Sequence, residues 1–68
     1  MNRARQLRLD NRCGVLDTAE GAGISTRTLH KIENGEPTHA AALARLADFY
    51  GVQPSELLMP AALPKEAA

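Results

Sequence analysis

The chain holds one cysteine among 68 residues, so an internal disulfide is impossible and a cysteine-rich zinc knuckle is excluded. A reducing compartment follows as the simple inference, with Cys13 read as a small buried hydrophobe. No apolar run approaches membrane-spanning length, and the polar start MNRARQLRLD lacks the apolar core of a signal peptide. Strand-like alternation and internal repeats are missing. So is a net charge, which is zero at pH 7, and such a balance does not advertise a nucleic-acid binder. The two histidines, His30 and His39, have no cysteine or acid at ligand spacing, so no metal is expected. No serine–histidine–acid set suggests a hydrolase, and no glycine-rich phosphate loop follows a strand. The chain therefore reads as no enzyme, with no cofactor and no small-molecule ligand expected. At this length it is one domain, burying only about 60% of the surface its unfolded form exposes.

What is present is helical. Residues 2–11 carry an apolar stripe at Ala4 and Leu7, with Asn2 as a cap. Residues 15–21 are a weaker helix, since Gly14 caps poorly and Gly21 is a poor helix former. Gly23 suits a turn. Ser25 caps a third helix over 25–33, and Asn34-Gly35 followed by Pro37 stops it. Thr38 is positioned to cap a fourth helix over 38–50, whose stripe is Leu43, Leu46, Ala47 and Tyr50. Pro54 opens a short fifth helix over 54–59. The expected fold class is all-α, a five-helix domain over 1–59 with a mobile tail over 60–68.

Charge is unevenly spread. Residues 1–35 hold six basic and four acidic groups, whereas residues 36–68 hold two basic and four acidic. The basic half contains AEGAGISTRTLHKIENG, residues 19–35, which reads as a helix end, a glycine turn and a second helix. Two helices so joined form a helix-turn-helix, whose second helix enters the major groove of DNA. At about 100° per residue, Leu29, Ile32 and Glu33 of that helix share an inward face. Arg27, Lys31 and Asn34 point outward, with His30 beside them. Arginine and lysine can read guanine, and threonine can contact thymine.

The run LRLDNRCGVLDTAEGAGISTRTLHKIENG, with the later LARLADFYGVQPSELL, resembles the phage repressor/Cro-like, xenobiotic-response-element class of helix-turn-helix proteins. The likeness covers roughly residues 3–59. Its most specific pieces are AGIS, the L-x-x-IE-x-G helix end and LA-x-x-x-GV-x-P-x-ELL. It implies a compact lambda-repressor-like fold, double-stranded DNA as partner, and a cytoplasmic regulator of bacterial or phage origin. It further implies base contacts from Ser25, Thr26, Arg27 and Lys31, and phosphate contacts from Thr28 and Asn34. Backbone N–H groups from Val15 onward can also meet a phosphate. Arg3 and Arg5 are candidates for further backbone contacts. Arg8 stands where the family has the partner of Glu33, so the two are expected to form a structural salt bridge. One module buries too little on DNA for high specificity, so a homodimer on a pseudo-palindromic operator is expected, with Val52, Leu57, Leu58 and Met59 as its apolar patch. Gly14 and Val15 occupy the family's cap and glutamine positions, and Thr18 and Cys13 replace core residues. Fewer phosphate contacts than in relatives are expected as a result. The alternative is a protein-binding module on the same fold, an antirepressor or a partner that titrates another regulator.

Overall fold

The computed structural model describes residues 2–59, and in them the chain forms five helices. These are α1 (Arg3–Asp10), α2 (Val15–Ala22), α3 (Thr26–Glu33), α4 (Ala40–Tyr50) and α5 (Pro54–Leu57), with no strand among the described residues. This is the all-α, five-helix arrangement that the helix signals predict, and it is consistent with the lambda-repressor-like fold that the resemblance implies. The expected tail over 60–68 lies outside the described residues.

The local chemistry explains most boundaries. Asn2 caps α1, its side-chain oxygen accepting from Arg5 N at 3.1 Å. Gly23 ends α2 with φ +75°, a conformation that costs glycine little. Its N–H donates to Glu20 O and the next N–H, of Ile24, to Ala19 O, which satisfies two carbonyls otherwise left open. Gly35 and Gly51 close α3 and α4 in the same left-handed conformation. The turn between α1 and α2 is different: there Arg12, not a glycine, takes φ +55°.

Two boundaries depart from expectation by two residues, and the others by one at most. The fourth helix begins at Ala40, not at 38, and its cap is His39, which makes no side-chain bond to the helix. Thr38 does not cap because the helix starts one position too late for it, and its hydroxyl is buried without a hydrogen-bond partner. The fifth helix ends at Leu57, with Leu58 as its C-cap and Met59 N closing on Glu56 O at 3.1 Å.

The core is Ala4, Ala19, Ala22, Leu29, Ile32, Leu46, Ala47 and Leu57. Four of the eight are alanine, which lets α2 approach both α3 and α4 closely. Gly21 extends that close approach. A Cβ there would lie 2.5 Å from Cε1 of Phe49 on α4, so the weak helix former sits where the ring needs the space. Thr18 is fully buried where the family usually has leucine. Its hydroxyl approaches that of Tyr50, yet neither completes a hydrogen bond of good geometry. Burial raises the Tyr50 phenol above its ordinary pKa, against a smaller lowering by the Thr18 hydroxyl. Cys13 is only partly buried, contrary to its reading as a core hydrophobe, because it lies in the loop ahead of α2 and not on a helix face.

Candidate nucleic-acid interface

Helix α3 is sharply two-sided. Leu29 and Ile32 are fully buried and Glu33 is 7% exposed. Thr26, Arg27, His30 and Asn34 are exposed, and Thr28 and Lys31 are half-buried. At about 100° per residue, Thr26, His30, Asn34 and Arg27 fall within one arc of roughly a quarter turn. Thr28 and Lys31 lie past its edge, on the flank turned toward α4, where they line a groove of about 360 Å³ with Pro37, Thr38 and His39. The exposed stripe thus centres on His30 and Asn34, with Arg27 at its edge and Lys31 just beyond that edge. His30 was legible at 3.6-residue spacing but carries no residue-type signal as clear as that of arginine.

The start of α3 is fixed by its own side chains. Ser25 Oγ accepts from Thr28 N at 3.0 Å and donates to Thr28 Oγ1 at 2.9 Å. The hydroxyl proton of Ser25 is therefore engaged within the helix cap, which leaves Thr26 and Arg27 as the freer groups at this end.

Glu33 meets Arg8 as expected. Arg8 Nε donates to Glu33 Oε2 at 2.7 Å and Nη2 to Oε1 at 3.1 Å, a two-pronged pair. A third bond runs from Arg8 Nη1 to Cys13 O at 3.3 Å, so one guanidinium ties α1 both to α3 and to the loop before α2. The hydrogen bond to Glu33 raises the Arg8 pKa further, with burial opposing it. Asn2 adds a second tie, its Nδ2 donating to Ile32 O at 2.6 Å. No sequence signal pointed to that contact, because the two residues meet only once α1 packs on α3.

The remaining candidates divide. Arg5 is exposed. Arg3 pairs with Glu56 at 3.2 Å and donates to Gln6 Oε1 at 2.8 Å, which draws its guanidinium toward α5. Val15 packs against the core, while its N–H belongs to the open first turn of α2, where Gly14 supplies no side-chain cap. In the apolar patch assigned to self-association, Leu57 is fully buried in the core and Val52 is half-buried. Leu57 therefore leaves the patch, because α5 turns it inward against the core. Leu58 and Met59 remain, 49% and 56% exposed.

Among the described residues, no group of three or more histidine, cysteine or acidic side chains converges as a metal site would require, and no helix is long and apolar enough to cross a membrane. A family model described as a helix-turn-helix domain matches residues 2–58. Neither the curated proteins nor the solved structures give a match.

Proposed function

The chain belongs to the helix-turn-helix domain family, of the repressor/Cro-like class, and from that premise we propose that it is a sequence-specific transcriptional regulator acting as a repressor. The family implies DNA binding. The observation that carries the finer reading is the split of α3 into a packed side, locked by Arg8–Glu33, and an exposed side led by Arg27. A rigid helix whose outer face holds arginine, histidine, asparagine and threonine has the donors and acceptors that base edges require. Thr26, Arg27 and Lys31 are assigned to base contacts, with Ser25 at the helix cap. Thr28, Asn34, Arg5 and the Val15 N–H are assigned to phosphates. Homodimerisation through Leu58 and Met59, beside Val52, would place two such helices about 34–36 Å apart on a pseudo-palindrome. The setting proposed is the cytoplasm of a bacterium or of a phage-infected cell.

Selection of bound duplexes from a random library tests this directly. A single enriched motif with two-fold symmetry is the expected result. Arg27→Ala with Lys31→Ala should abolish its enrichment, and unchanged enrichment would refute the assignment of α3. The zero net charge favours the second reading, a protein-binding module. Absence of any binding to bulk DNA at low salt would select it.

A further inference from the structure

We propose that the groove between α3 and the N-terminal half of α4 is a phosphate site whose principal cation is Arg45, a residue outside the helix-turn-helix. The proposal rests on the DNA-binding reading and adds to it a contact from α4. Arg45 is exposed, and its Nη1 donates to Gly23 O at 3.2 Å, in the turn just ahead of Ser25. That bond holds the guanidinium across a groove of about 340 Å³ that Ser25, Thr28 and His39 also line. The neighbouring groove, ending at Lys31, shares Thr28, His39 and Ala42 with it. The two form one channel along the α4 flank of α3, with arginine toward one end and lysine toward the other.

Several independent features give this channel its anion chemistry. No carboxylate lines either groove. Arg45 makes no ion pair among the described residues, and Gly23 O occupies only one of the five N–H donors a guanidinium carries. Helix α4 begins here with no side chain bonded to its first N–H groups, which adds a favourable potential for negative charge. A tetrahedral phosphate matches this set: oxygens enough for the fork-shaped donor of Arg45 on one side and the Thr28 hydroxyl on the other, with Lys31 beyond it left to the base edges. The same chemistry belongs to a phosphodiester of DNA lying beside α3 and to free inorganic phosphate.

Two probes separate these sources. Wild type, Arg45→Gln and Arg45→Lys are titrated with a random-sequence duplex over a range of salt, and their amide resonances are followed on addition of inorganic phosphate. Circular dichroism confirms that each variant is folded. If the occupant is a DNA phosphate, Arg45→Gln lowers the salt slope by about 0.9, equivalent to about an eightfold loss of affinity at 0.1 M relative to 1 M salt, and Arg45→Lys keeps the slope. If free phosphate also binds, amides of residues 23–28 and 39–45 move in the wild type and not in Arg45→Gln. Either result supports the site. A folded Arg45→Gln with an unchanged slope, together with no Arg45-dependent phosphate shift, overturns it. Should Arg45→Gln not fold, the wild-type amide map decides, read with inorganic phosphate and again with the duplex: residues 39–45 silent to both overturn the site. Phosphate shifts in a wild-type protein that binds no DNA keep the site and overturn the DNA-binding reading instead.

Discussion

Replacing Arg8 by methionine should be the most damaging single change outside the apolar core. The side chains of Arg8 and Glu33 are 12% and 4% exposed, so the carboxylate is almost wholly out of water. Two hydrogen bonds, of 2.7 and 3.1 Å, are its compensation. Arg8→Met keeps much of the aliphatic stem and removes both bonds, leaving a buried charge unpaired. Breaking such a pair costs about 3–5 kcal/mol. A domain of this size has roughly 3–10 kcal/mol in all, at about 0.05–0.15 kcal/mol per residue. The loss is then between a third and the whole of its stability. At about 4–8 °C per kcal/mol, the midpoint of thermal unfolding falls by at least about 12 °C. The double variant Arg8→Met, Glu33→Leu removes the stranded charge, and recovery of stability to within about 1 kcal/mol of wild type, or above it, is expected. Calorimetry or urea unfolding of the two single variants and the double closes the cycle. A loss below about 1 kcal/mol in Arg8→Met would place the pair with exposed ion pairs and refute the reasoning.

Three further outcomes are expected. Tyr50 is the only tyrosine, and burial raises its phenol pKa above 10.0. The folded state therefore keeps this proton longer than the unfolded one, so the stabilising contribution is complete below pH 10.0 and is lost as pH rises through the higher folded value. Tyrosinate absorbance in native and urea-unfolded protein reads both titrations, and coincident curves would refute the burial argument. Arg12→Gly relieves a left-handed conformation costing about 1–3 kcal/mol at the expense of roughly 0.5–1 kcal/mol of added chain entropy, so urea unfolding should show a gain of about 1 kcal/mol. A loss would show that the arginine side chain stabilises the turn. Ser25→Ala removes the cap bond to Thr28 N, and a loss of about 1 kcal/mol with weakened DNA binding is expected from denaturation and gel-shift measurements.

The first three helices were legible because their signals are local. Asn2 and Ser25 are caps whose bonding lies within three residues, and Gly23 and Gly35 end helices in a conformation that glycine adopts at little cost. Thr38 misled because cap propensity says nothing about whether a hydroxyl is drawn into the fold. Arg12 gave no turn signal, since arginine has no preference for positive φ. In the candidate site, the two faces of α3 followed from spacing alone, and Arg8–Glu33 from the family resemblance. The tethers of Asn2 to Ile32 and of Arg45 to Gly23 were invisible for a common reason. Each joins residues more than twenty positions apart, in contacts that only the packed helices create. Leu57 and Leu58 show the same limit: adjacent, chemically identical side chains have opposite fates because α5 turns one inward.

The amide of Asn2 works in both directions at once, accepting from the first turn of α1 and donating to the last turn of α3. Aspartate could keep the first bond but would set a negative charge against the Ile32 carbonyl, and a serine hydroxyl is too short to serve both helices. Part of what holds α3 in register is therefore written thirty positions ahead of its last turn, outside the helix-turn-helix, in a residue type with no close substitute. A mutational survey confined to the helix-turn-helix would leave that hinge pin untouched and attribute its contribution to the motif alone.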